Sequence, residues 1–197
     1  MARSNKKTAN DEAKKKLSFA YQGLDSIPDQ LLPYDKSIIE YLDLTENNLN
    51  DLRFLIDFSN LQTLIVDKNQ INSHVKIPHL DKLHTLWINH NQITNLSVFI
   101  KTLATYCPQL KYLSMMKNTA APSYFNGGSP KEYVDYRYYV ISQLPCLIML
   151  DDRQVSLEER QEAQRIYTSM TLGRQGRISS TKIQQLNVTT NTNEKDK

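Results

Sequence analysis

Leucine-type and polar positions recur along this chain in one fixed order. In each recurrence, two leucine-type residues stand two positions apart, and an asparagine follows three residues after the second of them. The pattern covers Leu42–Leu49, Leu64–Ile71, Leu86–Ile93 and, more loosely, Leu113–Ala120. The successive asparagines are 22, 22 and 27 residues apart, and they are Asn47, Asn69, Asn91 and Asn118. Because side chains alternate between the two faces of a strand, the pattern predicts one short strand in every unit.

A period of this length and order is typical of the leucine-rich repeat, in which each unit is a strand, a turn and a return segment. Such units stack into a solenoid that presents a binding surface. An incomplete first unit covers residues 17–28, where Gln22 stands at the asparagine position. The predicted fold is therefore an α/β leucine-rich repeat solenoid with a short, curved parallel sheet, and the expected class is a binding protein.

Further elements are predicted around and after the last repeat. Apolar residues at helical spacing before Pro108 predict a short helix, which explains the 27-residue step. A serine followed three residues later by glutamate predicts the start of another helix. The predicted elements are helix Ser97–Tyr106, helix Tyr133–Leu144, strand Leu147–Asp151, and a helix from Ser156 and Glu159 to about Thr168. Together, the elements after the last repeat predict a helical C-terminal cap.

Charge is distributed unevenly along the chain. The net charge of +3 belongs to the ends, since residues 1–16 carry +4, residues 172–197 carry +3 and the part between them carries −4. We predict a disordered basic tail at 1–16, a leucine-rich repeat domain with its cap at 17–168, and a disordered polar tail at 169–197. A mildly acidic solenoid lacks the concentrated basic face that direct nucleic-acid binding requires.

The sequence also favours a cellular compartment. No apolar run reaches the ~18 residues of a transmembrane helix, and no apolar segment follows the first lysines as in a secretory signal. The two cysteines, Cys107 and Cys146, do not suggest the disulfide-linked caps of extracellular repeats. We expect both thiols in the core of a cytoplasmic, monomeric protein without a transmembrane segment.

The positions between the inward leucines should point to the concave face. Ile65 and Trp87 are expected side by side on neighbouring strands and facing water, with Tyr41, Tyr112 and Met116 beside them. Exposed apolar patches with aromatic anchors mark interaction sites. The predicted protein-binding residues are Tyr41, Asp43, Ile65, Asp67, Trp87, Asn89, Tyr112 and Met116. The alternative is that a tail covers Trp87 or that its ring packs along its neighbours. The four asparagines are expected to bond backbone groups of adjoining coils and to have no binding role.

Catalysis and metal binding are not expected. The histidines lie in separate turns and strands, and they are His74, His79, His84 and His90. A zinc site needs closely spaced Cys and His ligands, and no phosphate loop or nucleophile motif is present. We therefore predict a non-enzyme with no cofactor and no metal.

Three stretches and the cap resemble known intracellular leucine-rich repeat proteins. Tyr136–Ile141, Leu147–Asp151 and Glu159–Ala163 resemble the C-terminal cap of a group that includes the spliceosomal U2 A-prime subunits. Gly23–Pro28, Leu83–Asn89 and Cys107–Ser114 resemble the branch associated with melanocyte differentiation.

That branch implies an adaptor in the biogenesis of melanosomes or related lysosome-like organelles. Its partner on the concave face would be a Rab-type GTPase or an endosomal recycling complex. The polar C-terminal tail departs from the branch, because it has no aromatic cluster for docking. The alternative implied by the cap is a splicing subunit of the A-prime kind.

Overall fold

The computed structural model describes residues 14–123 and 127–167. In these residues, seven strands form one sheet in chain order. They are β1 (Lys16–Ser18), β2 (Tyr41–Asp43), β3 (Thr63–Ile65), β4 (Thr85–Trp87), β5 (Tyr112–Ser114), β6 (Met149–Leu150) and β7 (Arg153–Gln154). The pairs from β1 to β6 are parallel, and β7 runs antiparallel to β6. The α/β leucine-rich repeat solenoid predicted from the sequence is confirmed.

The return segments between strands hold short helical turns or full helices. The turns are 3₁₀ helices at Asp29–Leu31, Lys36–Ile38 and Arg53–Asp57. Helix α1 covers Leu96–Tyr106, close to its predicted bounds, and the side chain of Asn95 accepts a hydrogen bond from the Val98 amide at 3.2 Å. An amide acceptor at this position satisfies one of the free N–H groups of the first turn.

Helix α2 covers Pro130–Gln143 and begins three residues before the predicted start at Tyr133. Ser129 and Glu132 form a reciprocal capping box, in which the Glu132 amide donates to the Ser129 hydroxyl and the Ser129 amide donates to the Glu132 carboxylate. Proline is favoured at the first helical position, where its missing N–H costs nothing. The prediction began at the first apolar residue and so missed this polar first turn.

The last strand is shorter than the predicted Leu147–Asp151. The chain turns at Asp151, whose φ is 56°, and returns as β7, a strand that the repeat pattern did not predict. A helix follows at residues 157–167, which we call α3. Its predicted cap is confirmed, since the Glu159 amide donates to the Ser156 hydroxyl at 3.1 Å. The predicted end at Thr168 lies outside the described residues.

The four repeat asparagines form a ladder between the coils. In Asn69, the amide nitrogen donates to the carbonyls of Leu44 and Val66 at 2.9 and 3.2 Å, and the amide oxygen accepts from the Leu49 N–H at 2.9 Å. Asn47, Asn91 and Asn118 repeat this arrangement. Each side chain therefore satisfies backbone groups of two coils, and the predicted structural role is confirmed.

The residue before each ladder asparagine lies in the left-handed region of the backbone. The four φ angles are between 53° and 59°, at Glu46, Lys68, His90 and Lys117. Non-glycine residues adopt this conformation at a cost of roughly 1–2 kcal/mol. The hydrogen bonds of the neighbouring asparagine offset that cost, and the turn directs this row of side chains along one edge of the concave face.

One contiguous core runs through the coils and the cap. It is built from the inward leucine-type residues of every repeat, from α1 and from the inner side of α2. Cys107 lies in this core, as predicted, and burial raises the pKa of its thiol to about 12. The same prediction is wrong for Cys146, which is exposed because it lies in the turn after α2.

The structure describes little of the two ends of the chain. Residues 1–13 and 168–197, which include most of both predicted tails, lie outside the described residues. The first strand begins at Lys16, one residue before the predicted start of the domain, and Lys15 forms an ion pair with Glu40 at 2.7 Å. Within the described ranges, every helix is too short or too polar to cross a membrane.

Candidate protein-binding face

Three columns of side chains cover the concave face of the sheet. Strand register places the first column at Tyr41, Thr63, Thr85, Tyr112 and Met149. The second column consists of Asp43, Ile65, Trp87 and Ser114. The third follows two residues later, at Thr45, Asp67, Asn89 and Met116. All eight residues predicted to bind a protein therefore lie on this one face.

Large apolar side chains of this face concentrate around β4 to β6. Trp87, Tyr112, Met116 and Met149 keep 46%, 40%, 42% and 37% of their surfaces exposed. They line one cleft of about 500 Å³, which we call the apolar cleft. The predicted exposure of Trp87 is thus seen, and the indole neither lies in the core nor is covered by described residues.

Ile65 departs from its prediction. It stands beside Trp87 in the sheet register, as expected, but only 8% of its surface is exposed, so it does not face water. Neighbours on the same face of a sheet shield a short branched side chain, whereas a longer ring extends past them. Tyr41 is half-buried, and it lies on β2, two strands from Trp87. Burial raises the pKa of its phenol, and the carboxylate of Asp43 adds to this effect.

The polar members of the face are engaged in hydrogen bonds with one another. Asp67 accepts from the Asn89 N–H at 2.7 Å and from the Asn89 amide nitrogen at 3.2 Å. The amide oxygen of Asn89 then accepts from the Ser114 hydroxyl and the Met116 N–H, both at 2.8 Å. Asp43 accepts from the N–H and hydroxyl of Thr45 at 2.9 and 2.6 Å. These bonds hold the polar side chains beside Met116 in place. Direct contact of these residues with a partner stays a prediction.

Five lining residues of the cleft are absent from the predicted set, and two of them, Met149 and Asp151, lie beyond β5. Met149 follows Tyr112 in the first column, and extending that column one strand further would have found it. Asp151 lines the cleft from the turn before β7, where one carboxylate oxygen accepts from the Met115 N–H and the other from the Tyr136 hydroxyl, both at 2.9 Å. Burial raises the pKa of this carboxyl above its ordinary range.

The raised pKa of Asp151 predicts a pH dependence of stability. A carboxyl whose pKa is higher in the folded than in the unfolded state binds protons more tightly when folded, so its contribution falls as pH rises from the unfolded pKa through the folded pKa. As pH rises through the window just above the ordinary pKa of an aspartate carboxyl, the free energy of unfolding of the wild-type chain should fall. The comparison is with Asp151→Asn, which lacks this titrating group. Urea unfolding at a series of pH values measures this difference, and a pH-independent difference would contradict the assignment.

The described residues show no constellation for metal chemistry. In residues 14–123 and 127–167, no group of three His, Cys, Asp or Glu side chains is arranged to hold a metal ion. The four histidines are dispersed along the chain from His74 to His90.

A parallel solenoid with an asparagine ladder, and a concave face that the described residues leave uncovered, defines a protein built of repeats. The chain matches the leucine-rich repeat family over residues 35–177, and it belongs to that family.

Two relatives resemble the chain in sequence, and one solved structure resembles it in fold. The human leucine-rich melanocyte differentiation-associated protein is 38% identical over 129 residues, which cover 63% of this chain and 65% of the relative. This confirms the resemblance predicted from the three stretches. The U2 small nuclear ribonucleoprotein A′ of Arabidopsis thaliana is 32% identical over 131 residues, 65% of this chain and 47% of the relative. The chain thus spans less than two thirds of each relative.

The solved structure is the crystal structure of a Drosophila melanogaster SNF/U2A′ complex. It matches with a TM-score of 0.60 and 22% identity over 76% of this chain and 79% of the matched one. At that identity, the likeness concerns the fold.

Proposed function

We propose that this chain is a non-catalytic adaptor that binds a protein partner on its concave face. The observation that carries the proposal is the apolar cleft, where Trp87, Tyr112, Met116 and Met149 stand half-exposed together. Tryptophan and tyrosine are the residues that most often dominate binding energy at interfaces. A monomer that keeps this cleft exposed would use it to bind a partner, because exposed side chains add little to the stability of the fold.

The likeness to the human melanocyte differentiation-associated protein supports the finer form of this proposal. In that form, the chain acts in the cytoplasm in the biogenesis of melanosomes or related lysosome-like organelles. A Rab-type GTPase or an endosomal recycling complex would occupy the concave face. Direct contact with nucleic acid is not part of the proposal.

A second candidate is a nuclear splicing subunit like the A′ proteins. The observation that favours it is the set of A′ relatives at 32% and 31% identity. The matched Drosophila structure is a complex, which agrees with binding through a protein partner. The two candidates differ in the partner that the chain would bind.

Trp87→Ala is expected to weaken partner binding by about 2 kcal/mol or more, because a central indole anchor is lost. This corresponds to a dissociation constant that is roughly thirtyfold higher. A purified Rab-type GTPase titrated against the intact chain gives the measurement, once affinity capture from lysate has selected the GTPase. The fold should survive, since the side chain makes up surface rather than core.

The matched control is Tyr34→Ala, which removes a fully exposed aromatic ring in the connection before β2. It should leave partner affinity unchanged. Equal affinities of wild type and a folded Trp87→Ala variant would reject the apolar cleft as the site. Co-purification of small nuclear RNA and spliceosomal proteins, with no GTPase, would replace the adaptor by the splicing subunit.

A further inference from the structure

A second cavity lies in the cap and shares no described lining residue with the apolar cleft. It measures about 350 Å³ and is bordered by the beginning of α1, one face of α2 and the end of described α3. Three tyrosines and two carboxylates distinguish its lining, namely Tyr136, Tyr139, Tyr167, Glu132 and Asp135. We call it the cap cavity.

The spacing along α2 explains how four of these side chains meet. Glu132, Asp135, Tyr136 and Tyr139 stand at positions i, i+3, i+4 and i+7, which share one face of a helix. Tyr167 approaches from α3 and packs edge-on against Tyr139, with ring centroids 5.3 Å apart and an interplanar angle of 69°. Two helices thus hold aromatic rings and carboxylates against the same space.

The described lining of the cap cavity carries a negative charge, from Glu132 and Asp135. In the part of the chain that the structure describes, no basic side chain forms an ion pair with Asp135. Asp135 and Tyr167 line the same cavity, and burial together with the Asp135 carboxylate raises the pKa of the Tyr167 phenol. Glu132 adds a second carboxylate, although one of its oxygens accepts from Ser129. The positive end of the α1 helix dipole, at its amino terminus, offsets only about half of one of these negative charges.

Aromatic faces beside an uncompensated carboxylate favour a cation. A guanidinium suits this lining better than an ammonium, because it is planar, stacks on aromatic rings and donates in a fork to a carboxylate. The cap uses the same combination internally, where Arg137 pairs with Glu159 at 2.7 Å and lies 5.9 Å from the centroid of the Tyr133 ring. We propose that the cap cavity binds the guanidinium of an arginine side chain presented by a protein partner.

The test uses the full chain labelled with ¹⁵N and N-acetylarginine amide as the probe. Saturable shifts of the Asp135 and Tyr139 amide signals are expected on titration. Asp135→Asn keeps the shape of this exposed side chain and removes its charge, so it should weaken the fitted affinity by about fivefold or more. N-acetylcitrulline amide, which has a similar shape but no charge, should produce no saturable shift.

Two control variants separate this site from other effects. Asp25→Asn makes the same charge change at an exposed position before β2, and Trp87→Ala alters the apolar cleft. Both should bind the probe like the wild type. A response to citrulline equal to that for arginine, or an Asp135→Asn affinity equal to that of Asp25→Asn, would overturn the proposal. Because Trp87→Ala tests the concave face separately, either proposal can fail without the other.

Discussion

Arg137→Ala is expected to lower the free energy of unfolding by about 3–5 kcal/mol, because it leaves a partly buried carboxylate without its partner. Only 1% of the Arg137 surface is exposed. Its guanidinium donates to both oxygens of Glu159, at 2.7 and 2.9 Å, and to the carbonyls of Leu150 and Gln154 at 3.1 and 3.4 Å. One side chain of α2 therefore connects α3 with both strands of the terminal hairpin.

The chain provides a matched control for this substitution. Arg165 also pairs with a glutamate, Glu162, but 71% of its side chain is exposed. Exposed pairs contribute about 0–1 kcal/mol, so Arg165→Ala should cost little. Urea unfolding followed by circular dichroism compares the two variants. Equal losses would show that the buried pair does not hold the cap together.

A double variant tests the cause of the loss. Arg137→Met with Glu159→Leu removes both charges and should recover much of the stability lost in Arg137→Ala, since apolar replacements of buried pairs are tolerated. The pH dependence adds a second readout. The bond from Arg137 lowers the pKa of Glu159, so this pair's stabilisation is present above the ordinary carboxyl pKa and is lost as pH falls through the lowered value. This pH dependence has the opposite sign to the one predicted for Asp151.

Asn118→Ala is expected to cost about 3 kcal/mol or more, because each buried backbone group left unpaired costs about 1–3 kcal/mol. The Asn118 side chain, 1% exposed, donates to the Ile88 and Met115 carbonyls, both at 2.9 Å, and accepts from the Ile93 N–H at 3.1 Å. Alanine leaves the Ile93 N–H and the Met115 carbonyl without this partner, while the Ile88 carbonyl keeps its bond from Asn91. Urea unfolding gives the energy, and hydrogen exchange at the Ile93 amide shows where protection is lost.

The control for the ladder is the exposed Gln92→Ala, one residue after the ladder position Asn91. It should change the free energy of unfolding by less than about 0.5 kcal/mol, as exposed substitutions usually do. If Asn118→Ala lowered the free energy of unfolding no more than this control, the ladder hydrogen bonds would contribute little to stability.

The solenoid was predictable because its cause is local and repeated. Leucine-type residues at fixed spacing before Asn47, Asn69 and Asn91 determine which side chains turn inward, and register then places Trp87 on the open face. The cap was less predictable. The hairpin of β6 and β7 depends on a left-handed residue at Asp151, which is held by bonds from Met115 and Tyr136 that no local pattern contains.

The site shows the same division between local and distant causes. Period-two alternation predicted which residues occupy the concave face. It could not predict that Ile65 would be buried at 8% exposure, because shielding depends on neighbours in other coils. Met149 joined the cleft only through its pairing with Tyr112, across a connection of more than thirty residues.

The order of the sheet also bears on how the chain assembles. Each strand pairs with the strands immediately before and after it in sequence. Free energy in such an array is approximately a sum over coils and the contacts between adjacent coils. Folding can therefore begin at the capped end and proceed coil by coil toward β1, and the amino-terminal coils can open while the cap remains intact.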